Sequence, residues 1–315
     1  MKRVAVILNP SKQVDVDQFR SIVQKHSAAA GWDEPLWFET TEEKPGTEQA
    51  HRAVAAGVEA VIVGGGDGTV RAAAAGLADT GVPMVLLPLG TGNLLARNLP
   101  IPSRAELSER IAPAFNGRDH NIDVGWLRLH RPVEGAGSDD KHLVLVIAGL
   151  GFGAEIMANT DEKLKRRVGW LAYFVAGAKH WRGKRTRVLL SVDGREPVRR
   201  RQRTVLVRNC GKIMGGLTLL PDAFIDDGQL DIAVIDPRGG VFGWTRLFGE
   251  VVRQGFRRRA TWPPDRTIDH EPCRSMTVVS PSAQQIQIDG DVIGTAHGFS
   301  AWVDPGALTM RLPQS

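Results

Sequence analysis

The stretch VGGGDGTVRAAAAG, from Val63 to Gly76, is the feature that most constrains the fold of this chain. It follows an apolar, β-branched run, VEAVIV (Val58 to Val63), and leads into alanine-rich, helix-prone sequence. A strand that hands over to a helix through glycines is a parallel α/β unit. Glycine inside a regular element costs stability, so Gly64, Gly65, Gly66 and Gly68 need a purpose. Ligands of open α/β sheets sit beyond the carboxyl ends of the strands. There, glycines let backbone N–H groups approach a phosphate, and the following helix N-terminus favours negative charge. Asp67 would repel a bare phosphate; it suits a Mg²⁺ held by phosphates, or a hydroxyl. Gly68 is followed by Thr69 and Val70 rather than Lys-Ser/Thr, which excludes a P-loop. A second stretch, LPLGTGNLLARN (Leu87 to Asn98), repeats the theme of a strand running into Gly-Thr-Gly-Asn. Two such loops on adjacent strand ends would face each other across one cleft.

The rest of the first third alternates in the same manner. RVAVIL (Arg3 to Leu8), PLWFET, VEAVIV and VPMVLLPLG read as strands. Phe19, Ile22 and Val23 lie at helical spacing, a helix starts near Thr47, and Ser103 with Glu106 predicts a capping box for a helix through about Phe115. After Asn121 the rhythm changes. NIDVGWLRLH, KHLVLVIAG, TRVLLSVDG, QRTVLVRN, GQLDIAVID, SMTVVS and QQIQIDG are strand-like, with helices predicted only at about 154–179 and 241–258. RPVEGAGSDDKH (Arg131 to His142) predicts a hairpin loop. The expectation is an α/β domain over 1–122, with 303–315 as a candidate completion, and a β-rich domain over 123–302. VIAGLGFGAEIM carries Gly149, Gly151 and Ala154 at dinucleotide-fold spacing, but no acidic residue follows at the required distance. We read it as a glycine turn.

Cys210 and Cys273 form no CxxC pair and no zinc spacing, which predicts reduced thiols in a cytoplasmic protein. No apolar run approaches the roughly 18 residues of a membrane span. The net charge of +5 points weakly to an anionic partner. Lys163–Arg187 and Arg253–Trp262 are basic and carry Trp170, Trp181 and Trp262. They read equally as core helices with solvated ends or as a surface for anionic lipid. No zinc-finger spacing or RNA-binding aromatic motif is present, so nucleic acid is not an expected partner.

Taken in order, GGGDGT, PLGTGN, PDAFIDDGQLDI (Pro221 to Ile232) and IDGD (Ile288 to Asp291) resemble the diacylglycerol kinase catalytic domain superfamily. Its soluble bacterial lipid kinases, with sphingosine and ceramide kinases as relatives, match over nearly the whole chain. The resemblance implies a Rossmann-like nucleotide domain of the NAD kinase and phosphofructokinase type, a C-terminal β-sandwich, and ATP in the cleft between them. It further implies Mg²⁺ as cofactor and a lipid hydroxyl at an anionic membrane surface as acceptor. Asn9, Pro10, Ser11 and Lys12 match the first nucleotide loop. Thr41 matches a nucleotide-contacting threonine, with Thr40 an alternative register. Gly65, Gly66, Asp67, Gly68, Thr69, Val70 and Arg71 match the phosphate segment, and Thr91 the second loop. Asp227, with the carbonyls of Phe224 and Gln229, matches a structural Mg²⁺ site; without the resemblance, DDG reads as an ordinary turn. IDGD stands where the family has Asp-Gly-Glu with its general base, so Asp291 takes the Glu position, and Asp289 and Asp291 are both candidates for the base.

Three departures accompany these matches. Arg71 and Ala72 replace the common Asn-Glu, and Leu94 replaces the Asp that usually follows Asn93. Two further readings stay open beside a lipid kinase: an NAD kinase, and a nucleotide-binding regulator without turnover. Whether the chain pairs as a homodimer is also open.

Overall fold

The computed structural model describes residues 2–12, 15–102, 105–131, 141–151, 185–211, 224–235 and 268–314. The chain divides into two units, Met1–Val124 with Pro305–Ser315, and Gly125–Asp304.

The first unit is built on parallel strands: β1 (Val4–Leu8), β2 (Leu36–Glu39), β3 (Ala60–Gly65) and β4 (Met84–Pro88). They lie in the order β2-β1-β3-β4. β1 and β3 are apolar at almost every position because a parallel sheet is buried on both faces. Helices α1 (Val16–Ala29), α2 (Thr47–Ala55) and α3 (Asp67–Leu77) connect the strands. Val4, Val6, Leu8, Ile62, Val85 and Leu87 form a core with Phe19 and Val23 of α1. α2 and α3 pack together on the other face, against β1 and β3.

Ser103 of the predicted capping box lies outside the described residues; beyond it the predicted helix is two short ones, α4 (Leu107–Ile111) and α5 (Pro113–Asn116). The cap position is Glu106, whose N–H donates to Glu109 at 3.2 Å. Pro113 has no N–H to continue the first helix.

The chain leaves this unit along β5 (Arg118–Leu129) and returns along β14 (Asp291–Leu312). The returning end is fixed at several points. Met310 pairs in parallel with Met84 of β4. Arg311 grips Asp119 with two bonds, at 2.6 and 3.0 Å, and buried Asp123 accepts the Gly306 N–H at 2.8 Å.

The second unit is antiparallel: β6 (Lys141–Val144), β7 (Ile147–Gly151), β8 (Thr186–Val192), β9 (Val198–Gln202), β10 (Thr204–Arg208), β11 (Leu230–Ile235), β12 (Ile268–Cys273) and β13 (Ser275–Ile288), with β5 and β14. One path runs β12-β11-β10-β7-β13-β14, while β8 joins β13 and β9 joins β8. Alternate residues such as Leu127, Val188, Leu190, Val205, Val278 and Phe299 form its core. The architecture is α/β followed by a β-sandwich, as the sequence predicts.

The sandwich corrects several expectations. KHLVLVIAG is two strands rather than one, broken at Leu145–Val146. Gly149 and Gly151 lie within β7, not in a turn. A Cβ on Gly149 would stand 2.6 Å from the Val205 carbonyl of β10, so the glycine permits close strand approach. SMTVVS and QQIQIDG form one long strand with an irregularity between Val279 and Gln284. β9, β12 and β14 were not predicted. The expected helices at about 154–179 and 241–258, the loop within 131–142, and nearly all of both basic tryptophan segments lie outside the described residues.

Candidate active site

The carboxyl ends of β2, β1, β3 and β4 bring four loops to one edge of the first unit. Thr40 and Thr41 follow β2, Asn9 to Lys12 follow β1, Gly66 and Asp67 follow β3, and Leu89 to Asn93 follow β4. The strand order reverses at β1 and β3, the switch point where open α/β sheets hold ligands.

Asp67 joins two of these loops. As first residue of α3 its carboxylate accepts the N–H of Asn93 at 2.9 Å and of Leu94 at 2.6 Å. The approach requires glycine opposite: a Cβ on Gly92 would lie 2.5 Å from Asp67 Oδ2, and one on Gly90 2.8 Å from the Gly66 Cα. Asn93 closes its own loop, accepting from the Gly90 N–H and donating to the Gly90 carbonyl. It does so at a φ of 48°, a left-handed conformation that asparagine tolerates better than most residues. Arg97 Nε donates to the Gly92 carbonyl at 2.7 Å. The sequence reading took only Thr91 from this loop; Asn93 and Arg97 were legible in GTGNLLARN as the turn-former and the nearest cation.

The first loop leans on the second. Asn9 Nδ2 donates to Thr69 Oγ1 at 3.2 Å, while Asn9 Oδ1 accepts the Ser11 N–H and hydroxyl. The Lys12 ammonium lies 3.7 Å from where a Gly66 Cβ would stand. The N-cap of α3 is Gly66, which has no side chain with which to cap the helix. First-turn N–H groups beside an ammonium make a cradle that fits a phosphate. Thr91 is exposed at the same edge. Thr41 is exposed, whereas Thr40 is buried and its N–H bonds Leu8. Of the two registers, Thr41 is the one that faces solvent.

The departures have local accounts. The Ala72 carbonyl accepts the Thr47 hydroxyl at 2.8 Å, tying α3 to α2. Leu94 is buried, and its N–H is one of the two that Asp67 holds. Arg71 is half-buried on α3.

In the second unit, Asp289 and Gly290 form a two-residue hairpin turn between Ile288 and Asp291, with φ of 49° and 101°. The turn separates the two aspartates. Buried Asp289 accepts three backbone N–H bonds, from Leu145, Val146 and Ile147, at 2.8–3.0 Å. Those bonds account for the break between β6 and β7. Asp291 opens β14 and is exposed. Asp227 lies on an exposed turn with Phe224 and Gln229, and its Oδ1 accepts the Gln229 N–H at 3.0 Å. Among the described residues no three His, Cys, Asp or Glu side chains gather at one point.

Comparison with known proteins agrees over the full length. Residues 3–127 match the family described as diacylglycerol kinase catalytic domain, and residues 145–311 match the YegS C-terminal NAD kinase beta sandwich-like domain. A Pseudomonas fluorescens protein named "Probable lipid kinase YegS-like" is 30% identical, over 99% of this chain and 96% of its own. The crystal structure of a diacylglycerol kinase from Bacillus anthracis matches with a TM-score of 0.69 at 21% identity, covering 98% of this chain and 96% of that one. An NAD kinase from Archaeoglobus fulgidus in complex with ATP matches at 0.51 and 12% identity, covering 99% and 94%, and shares the fold. The chain belongs to the diacylglycerol kinase catalytic-domain family and is a kinase of that family's two-domain form.

Proposed function

We propose that this family member is an ATP- and Mg²⁺-dependent lipid kinase that moves the γ-phosphoryl group to a lipid hydroxyl at a membrane surface. The observation that carries the reading is the cradle at the β3–α3 junction, where a helix N-terminus that opens on Gly66, the Lys12 ammonium and the Asp67-clamped Gly90–Leu94 loop meet. Phosphoryl transfer asks a protein mainly for positioning and charge neutralisation. The first-turn N–H groups of α3 and the Lys12 ammonium bind and neutralise the phosphates. Asp67 keeps the second loop, with Thr91, in register for the same ligand. Mg²⁺, when bound at the phosphates, would neutralise their charge, with Asp67 as the carboxylate beside it; Asp227 with the Phe224 and Gln229 carbonyls would hold a separate, structural Mg²⁺. Asp291 is the better general base, since it is exposed while Asp289 is engaged by three amides. It would take the proton of the acceptor hydroxyl as that oxygen attacks.

Acceptor-dependent ADP release tests this. The purified chain is given ATP with and without Mg²⁺, against diacylglycerol, other lipid alcohols and NAD. Release that needs both Mg²⁺ and a lipid alcohol is expected. Release with NAD alone would make the chain an NAD kinase, and ATP binding without release on any acceptor would make it a regulator.

A further inference from the structure

One outward face of the sandwich combines cations and aliphatic side chains in a way the fold does not need. Val279 on β13, Leu189 on β8 and Arg199 on β9 stand directly opposite one another. Two residues along, Arg187 faces Arg201. The two-residue period of a strand puts all of these on one side, opposite the core residues Val188, Leu190 and Val278. Leu189 is 42% exposed and Val279 37%. Arg187, Arg199 and Arg201 are exposed too, and among the described residues none of the three guanidinium groups meets a carboxylate or a hydrogen-bond acceptor.

Like charges directly opposed across strands cost stability, so Arg187 facing Arg201 calls for an external anion. Edge strands do use charge to block pairing. Arg187, however, lies on β8, which is paired on both sides, and the aliphatic neighbours make the face less soluble, not more. The same face continues onto β14, where Ser300 opposes Thr277 and half-buried Trp302 opposes Ser275. Arg128 and Lys141 lie over the Trp302 ring, 5.8 and 5.7 Å from its centre.

We propose that this face docks the protein on a bilayer rich in anionic headgroups. Guanidinium forks take phosphate oxygens, Leu189 and Val279 enter the interfacial layer, and Trp302 sits at headgroup depth. The choice of a lipid surface rests on the lipid-kinase reading. Charge argues against a second copy of the chain, because a two-fold interface would set the same arginines against each other.

The test is co-sedimentation with vesicles of phosphatidylcholine alone and of phosphatidylcholine with phosphatidylglycerol, for the wild type and for Arg199→Gln/Arg201→Gln. The wild type should bind only the anionic vesicles, and less at high salt. Each arginine lost should weaken binding about fivefold, and the pair about 30-fold. The double variant should melt no lower than wild type, since opposed charge is relieved, and should keep its turnover on lipid dispersed in detergent micelles. Unchanged vesicle binding by the double variant, equal binding to both vesicle types, or binding to duplex DNA in place of vesicles would each overturn the proposal. Failure of the lipid-kinase reading shows separately, as no phosphorylation of micellar lipid by the wild type.

Discussion

Replacing Asp67 by alanine removes both acceptors that hold the Asn93 and Leu94 N–H groups. Hydrogen bonds to a charged acceptor contribute about 1.5–3 kcal/mol each, so the gross loss is about 3–6 kcal/mol. Asp67 is half-buried, and the released amides can turn to water, which brings the net cost to about 2–4 kcal/mol. A domain is stable by about 5–15 kcal/mol, so Asp67→Ala should remain folded with a loosened Gly90–Leu94 loop. Small misplacements of a reacting group cost about 10²-fold, and turnover should fall by at least that factor. Gly92→Ala separates clamp from charge. Its Cβ would stand 2.5 Å from Asp67 Oδ2 and push the carboxylate off the two amides while keeping its charge. Urea unfolding, ATP calorimetry and lipid turnover are measured on both variants. Similar losses of turnover in the two folded proteins are expected. Near-normal turnover in folded Asp67→Ala refutes the site; loss in Asp67→Ala with none in Gly92→Ala refutes the clamp and leaves the carboxylate a ligand only.

Asp291→Asn should lower turnover by about 10²–10⁴-fold with ATP affinity and stability unchanged. Asp289→Asn should instead cost about 2–5 kcal/mol in denaturant unfolding, because its new NH₂ opposes buried backbone donors; the reverse pattern would exchange their roles. Lys12→Met should weaken ATP binding about 10- to 100-fold by calorimetry, the worth of one charge-assisted contact, without moving the melting temperature. Burial pushes the His130 pKa below 6.5. The unfolded chain therefore takes the proton first, so this contribution is complete above pH 6.5 and is lost as pH falls below it, levelling once the folded His130 also protonates. Stability measured across that range should slope less steeply in His130→Gln.

The first unit was legible because its signals are local. β-branched runs, glycine stops and helical spacing fix β1 to β4 and α1 to α3 without distant information, and the phosphate-loop glycines sit where a parallel strand meets a helix. The sandwich was less legible where a distant residue decides. KHLVLVIAG reads as one strand, yet Asp289, far along the chain, takes the amides at its middle and breaks it. β9 reads VRRRQ, an edge strand whose charges hide the alternation, and β12 carries Pro272, which strand propensity rejects but an edge position tolerates. At the site, the motifs located Asp67 but not its partners, since a carboxylate beside glycines looks the same whether it clamps a loop or holds a cation. In IDGD the period of two left Asp289 and Asp291 equivalent until the hairpin turn divided them.

The most direct test of the central claim follows the phosphoryl group itself. ATP labelled at the γ position is incubated with Mg²⁺, a total lipid extract and NAD together, for the wild type and for Asp291→Asn, and the organic and aqueous phases are counted. Label in a lipid phosphate in the organic phase, formed by the wild type and reduced about 10²-fold or more in Asp291→Asn, is the predicted result. Label confined to an aqueous dinucleotide product, or transferred to no acceptor, would contradict it.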